Sequence, residues 1–408
     1  MGMIRAYIKT FSLTGGYEAD FAEVTNDINM SGLGSVGRSI DNSDFDIGIF
    51  NYSSFGVSVK NDHGKYSAPP STQSIFKVKR KGSIFKLTWE VQDFQTLCAT
   101  AICGECKISP AVDLFEGIID DDASTTDIFD QSFRFTVLGY ESLFSQTQVN
   151  FSSISNGQTT SQVMYAILNQ AKITDLLTVQ SGNIVANVNA TIDLVAAFEN
   201  VTVKKALDDL LFLSNSVLYI KAGVVYVSAR TEGATNDYTF YGQASNNGVE
   251  NINSISDIRL GLNKTFNLWK WDGTSLFASD STSITENGVR SRSPIKFDQI
   301  TNNTTRQNIL NSLNLEYRNP KQEIEIESPF TYDLLVLGVL DKVNVDYPTV
   351  FVGAQGGEIP IYGASKYGVA KYPIGQWSLT LATTTFFKIM DIRLDVKSQT
   401  ATLKLREI

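Results

Sequence analysis

Apolar and polar positions alternate along most of the chain. Phe85, Leu87, Trp89 and Val91 alternate with Lys86, Thr88 and Glu90, and Phe133, Phe135 and Val137 alternate with Arg134 and Thr136. Ile324 and Ile326 lie between Glu323, Glu325 and Glu327, and Val343 and Val345 are set among Lys342, Asn344 and Asp346. Near the C-terminus Ile392, Leu394 and Val396 run into a turn at Ser398 and Gln399, and Ala401, Leu403 and Leu405 return. Successive side chains of a strand point to opposite faces, so a period of two predicts antiparallel strands with one face solvated. On that reading Glu323, Glu325 and Glu327 form a solvent-facing row.

Helical spacing is confined to three places. Val163, Met164, Ile167, Leu168 and Ala171 make one stripe after Thr159-Thr160-Ser161, whose hydroxyls suit an N-cap. Thr202 caps a second stripe through Ala206, Leu207, Leu210 and Leu211. A third runs through Ile309, Leu310 and Leu313 and ends before Asn319-Pro320, where proline forbids continuation. The segment "VLYIKAGVVYVSAR" reads as a hairpin turning at Ala222-Gly223. The fold class predicted is mainly β (α+β). It comprises a β-rich domain over 1–150, a small α+β domain over 151–230, and a β-rich domain over 231–408 with one helix.

Composition narrows the function. The 408 residues suffice for two or three domains with real cores. No apolar run approaches the roughly 18 residues of a membrane span, and the N-terminus lacks the basic and apolar regions of a signal peptide, so neither insertion nor export is expected. Net charge is −9 with the acidic residues dispersed, which argues against a surface that neutralises phosphates. The basic clusters "KVKRKG" (77–82) and "RSRSP" (290–294) are short and read as solvated turns or strand edges. Three cysteines are too few for a disulfide framework and fit a reducing compartment.

Candidate chemistry is sparse. His63, the one histidine, sits in "NDHGKYS", where Asn, Asp and Gly supply the local hydrogen bonds and positive φ of a tight corner. Cys98, Cys103 and Cys106 have the C-x4-C-x2-C spacing of three ligands of an iron–sulfur site. The fourth cysteine is missing, so they read instead as small buried hydrophobes. Asp120, Asp121 and Asp122 open a polar loop without the spacing of a calcium loop, and "GAQGGEIP" (353–360) lacks the Lys-Ser/Thr pair of a phosphate loop. No catalytic, cofactor-binding or metal-binding residue is assigned.

Five segments, in order, resemble the hub proteins of phage tails and related contractile injection machines. "NDHGKYSAPPSTQSIF" is similar to the family's turn between early strands, and "LFEGIIDD" with "FRFTVLGYESLFSQ" to its next strand pair. "TVKKALDDLLFLSNSVLYIKAGVVYVSAR" looks like its helix and hairpin. "EYRNPKQEIEIESPFTYDLLVLGVLDKVNVDYP", with Gly338 and Asp341, resembles the stretch before a late strand, and "FFKIMDIRLDVKSQTATLKLREI" its closing hairpin. The cysteine cluster and "IPIYGASKYGVAKYPIGQW" (359–377) depart from that pattern.

The resemblance implies two antiparallel β-barrel-like hub domains flanking a small α+β domain. It further implies a homotrimer whose six barrels form a ring between a six-fold tail tube and a three-fold spike or fibre. Such a non-enzymatic adaptor, at the tail tip of a virion assembled in the host cytoplasm, would have a distal tail protein or tail tube, a spike or fibre protein and a tape-measure protein as partners. DNA would only pass through its lumen. Two other classes stay open. Tyr362, Tyr367 and Tyr372 suit a receptor- or carbohydrate-binding distal tail protein, and dispersed carboxylates suit a β-rich cell-wall hydrolase.

Overall fold

The computed structural model describes residues 2–29, 33–40, 48–52, 54–67, 73–91, 111–127, 131–221, 223–229, 237–242, 251–260, 264–346 and 386–408. The three cysteines, the glycine loop at 353–360 and the tyrosine-rich segment 359–377 lie outside the described residues. Strand is the predominant regular structure of the described chain, gathered mainly into two curled half-barrel sheets, in agreement with the β-rich, barrel-like class expected from alternation and resemblance.

The first sheet has six strands in the order Ala22–Glu23, Gly2–Lys9, Ile84–Val91, Val112–Asp127, Ser132–Gly139 and Phe55–Lys60. Every pairing is antiparallel. Phe55, Val57 and Val59 point inward and stand opposite Val137, Phe135 and Phe133, so the alternation read from the sequence sets the register. Phe55 meets Phe115 edge-on at 4.7 Å, and Phe85 meets Phe135 at 5.9 Å. Each such pair contributes about 0.5–1.5 kcal/mol beyond its buried area. The strand Val112–Asp127 continues through Asp120, where the sequence suggests a polar loop. Backbone pairing with Ser132–Gly139 carries it across an irregularity between Asp120 and Thr125.

The second sheet is built from distant parts of the chain. Its spine runs Ser254–Leu260, Gln322–Pro329, Thr400–Glu407, Phe386–Asp395, Ser35–Ile40, Gly48–Tyr52, Ser216–Lys221, Val224–Ala229 and Thr178–Ile184. Lys342–Asp346 joins Phe386–Asp395 and carries Tyr238–Tyr241. The closing hairpin turns with Gln399 at φ 53, and the Ser216–Ala229 hairpin with Gly223 at φ 73. Three pairings are parallel, which alternation alone does not predict: Gly48–Tyr52 with Ser216–Lys221, Val224–Ala229 with Thr178–Ile184, and Tyr238–Tyr241 with Lys342–Asp346. Strands Ser35–Ile40 and Gly48–Tyr52, from the first 52 residues, thereby join the C-terminal sheet.

The glutamate row departs from the solvated face expected for it. Glu323 is buried and pairs with Lys264 at 3.0 Å, and Glu325 and Glu327 are half-buried. Across the ladder Glu323 stands opposite Arg406 and Glu325 opposite Lys404. Opposite charges in cross-strand register let this face be covered.

A third core lies between the sheets. Helix Thr160–Leu168 starts at Thr159 with a full capping box to Gln162, and helix Val203–Leu213 starts at Thr202, whose hydroxyl accepts from Lys205 N. Val163, Met164, Ile167, Leu207, Leu210 and Leu211 bury their stripes together with Trp269, Trp271 and the inner face of helix Asn303–Tyr317. Residues 264–317 therefore share a core with residues 140–227. Asp193 reaches across to accept from Thr301 N, Thr301 Oγ1 and Asn302 N, fixing the start of that last helix.

Candidate functional site: a corner and a charged junction

The corner holding His63 is bound to the first core by its neighbours. Asn61 Oδ1 accepts from Tyr66 N at 2.6 Å, and Asn61 N donates to Gln131 O at 2.7 Å. His63 takes a left-handed φ of 58° and its side chain is exposed; Gly64 follows at φ 77°. Ser67 N donates to Gly64 O, and Ile75 N returns to Lys65 O at 2.9 Å, closing the loop that ends on the fully buried Phe76. What penetrates the core is Tyr66. Its hydroxyl donates to Asp27 Oδ2 at 2.6 Å, and Lys65 Nζ reaches the same oxygen at 2.5 Å. Arg80 donates to Tyr66 O at 3.1 Å and lies over Phe133, 4.2 Å from the ring centre.

Burial alone would raise the pKa of Asp27. The hydrogen bonds from Lys65 and Tyr66 outweigh it and hold the carboxyl below its ordinary value. The same contact and, more strongly, burial push the Tyr66 phenol upward, so it remains a donor. A depressed folded pKa stabilises the protein above the ordinary carboxylate range, and the contribution is lost as pH falls through the folded value. Tyr66→Phe is expected to cost about 1–2 kcal/mol in urea unfolding at neutral pH, with the deficit shrinking as Asp27 is protonated. A variant as stable as the parent at neutral pH would show that the clamp contributes nothing.

The second constellation lies where the sheets meet. Arg38, on the strand carried from the N-terminal region into the second sheet, lines a cavity of about 310 Å³ with Tyr140, Glu116 and Lys221. Burial pushes the Arg38 guanidinium down to about 10, while Glu141 and Asp341 oppose that shift. Arg38 thus stays charged at neutral pH. Tyr140 donates to Glu116 Oε1 at 2.6 Å, and burial followed by that carboxylate raises the phenol. Asp341 Oδ2 accepts from Gly338 N at 2.7 Å, closing a turn in which Leu340 adopts φ 71°. Burial raises the Asp341 pKa although the Gly338 N–H, Lys221 and Arg38 pull the other way. The sequence singles out Gly338 and Asp341 but gives no sign that Arg38 stands near them.

These groups join elements: Tyr66 ties Lys65 and Asp27 to the first core, and the Arg38 cavity lies between the two sheets. His63 is held in an exposed corner, remote in role from the Tyr66–Asp27 contact beside it. Among the described residues no group of three His, Cys, Asp or Glu is placed to hold a metal ion, and no helix is long and apolar enough to cross a membrane.

No family model and no curated protein matches the sequence. Solved structures do match the fold over nearly the whole chain. A tail protein from Neisseria meningitidis superposes with a TM-score of 0.53 at 11% identity, covering 100% of this chain and 96% of that one. A prophage tail protein from Listeria monocytogenes gives 0.52 at 10% identity, covering 99% and 94%. The chain has the fold of phage tail proteins.

Proposed function

We propose that this protein is a structural hub of a phage-type tail. The observation that carries the reading is the end-to-end likeness to tail proteins, which two curled sheets flanking a helical core and the ordered sequence segments support. In this reading 1–150 and 231–408 are the two barrel-like units and 151–230 the small unit between them. The strands of 35–52 cross to the second barrel, and 264–317 pack onto the middle unit.

Three chains with two barrels each close a six-barrel ring through head-to-tail contacts. That ring joins a six-fold tail tube or distal tail protein on one side to a three-fold spike or fibre on the other, with the tape-measure protein and DNA passing through its lumen. The protein acts in the virion, is assembled in the host cytoplasm and catalyses no reaction. His63→Ala is accordingly expected to leave assembly unchanged. The decisive measurement is mass photometry with electron-microscopic class averages of the purified protein and of tail tips. Three copies in a ring of six lobes are expected; a ring of six copies with one lobe each overturns the hub reading.

A further inference from the structure

The basic segment 77–82, which the structural role leaves unused, borders a cleft of about 660 Å³ between the first sheet and the short helices Ser142–Gln146 and Ala171–Thr174. Two of its cations are structural: Lys77 pairs with Glu18 at 2.9 Å, and Arg80 turns inward to Tyr66 and Phe133. Lys79 and Lys81 line the cleft, and Lys172 joins them from the opposite wall. Lys81 lies 3.7 Å from Asp120. Lys79 and Lys172, both exposed, have no ion pair among the described residues.

The rest of the lining is mixed: Asp175, Ser142, Gln146 and Thr147 are polar, and a larger share is aliphatic. Ile118, Leu138, Leu143 and Leu176, all half-buried, contribute to it. Two exposed apolar side chains lie in the segments that border it: Leu13, in the turn between Phe11 and Tyr17 and 74% exposed, and Val78, next to Lys79 in sequence and 47% exposed. Phe11 stacks on Tyr17 at 4.5 Å and carries the Lys79 ammonium 4.0 Å from its centre. Tyr17 is tied down by its hydroxyl, which donates to Gly82 O at 2.8 Å. The aromatic surface on which a sugar would stack is therefore already occupied. The cleft holds three lysines against two aspartates, and its aliphatic side chains, with the Lys79 and Lys172 ammonium groups outside any ion pair among the described residues, complement side chains that are alternately aliphatic and carboxylate.

We propose that this cleft is the docking site for an acidic, aliphatic peptide segment of another tail protein. Aliphatic side chains enter between Leu143 and Ile118, and carboxylates meet Lys79 and Lys172. The tail reading supplies only the source of the segment; the binding chemistry stands on the cleft itself.

The test is fluorescence anisotropy on the full chain with four labelled probes: short peptides alternating Asp with Leu, Asp with Ser and Lys with Leu, and an oligomer of glycerol phosphate. The Asp/Leu peptide is expected to bind best and to weaken as salt screens the ammonium groups. The double variant Lys79→Glu/Lys172→Glu, at exposed positions, is expected to lower its affinity at least roughly tenfold, and Gln146→Trp, which fills the cleft, to do the same with the lysines intact. Equal binding of the Lys/Leu peptide, tighter binding of the glycerol phosphate oligomer, no binding of the Asp/Leu peptide, or affinity unchanged in both variants overturns the site. Copy number measured on the same samples separates the two readings. A trimer that does not bind the peptide refutes the docking site alone, and a peptide-binding protein that forms no trimer refutes the hub alone.

Discussion

Gly117→Ala is expected to destabilise the protein by about 3 kcal/mol, and Gly117→Val to prevent the first sheet from forming. Gly117 lies in the middle of Val112–Asp127, opposite Phe85 on one side and Gly139 on the other. A Cβ at this position would stand 2.3 Å from Leu138 O and 2.6 Å from Phe115 Cζ. Neither neighbour is free to retreat. Leu138 O belongs to the paired backbone, and the Phe115 ring is buried and edge-on to Phe55. The phenyl ring occupies the space a side chain at 117 would need, so glycine and Phe115 act as one unit. Thermal and urea unfolding of the purified variant measure the effect. A loss below about 1 kcal/mol would mean that the two strands can separate locally at little cost.

The strands around that glycine illustrate what the sequence discloses. Phe85, Phe133 and Phe135 alternate with polar residues, and one face of each strand meets a core, so strand, face and register are all legible locally. The same holds for the closing hairpin and for the helices begun by Thr159 and Thr202. Pairing between remote segments is a different matter. Nothing in Ser35–Ile40 specifies that Val36 will stand opposite Leu394, because each strand alternates acceptably against many partners. The glutamates at 323, 325 and 327 look solvated until Arg406 and Lys404 are brought opposite two of them. The helices Ser142–Gln146 and Ala171–Thr174 span too few turns for an apolar period to show, so the cleft they border was invisible. The corner at His63 is legible because Asn61 accepts from nearby backbone through its own side chain and Gly64 supplies the positive φ.

Asp341→Pro and Asp341→Asn are expected to part company, the first unfolding the second sheet and the second leaving it intact. Two bonds lock this turn to the sheet: Leu340 N donates to Ile389 O at 2.8 Å, and Ile389 N to Asp341 O at 3.2 Å. The turn needs Leu340 at φ 71°, and a following proline drives the preceding residue toward extended backbone. Proline also removes the carboxylate that accepts from Gly338 N. Loss of the turn frees the edge on which Lys342–Asp346 pairs with Phe386–Asp395, a cost of more than about 3 kcal/mol. Asparagine keeps an oxygen for Gly338 N and discards the charge that burial disfavours. Because the folded pKa is raised, the acid's contribution to stability is fully present below the ordinary value of about 3.9 and is lost as pH rises through the folded value. The asparagine variant lacks that loss. Its urea midpoint should therefore gain on the parent's as pH rises above about 4. If asparagine instead unfolds the sheet as proline does, the ionised carboxylate beside Arg38 and Lys221, and not the backbone of the turn, holds the junction together.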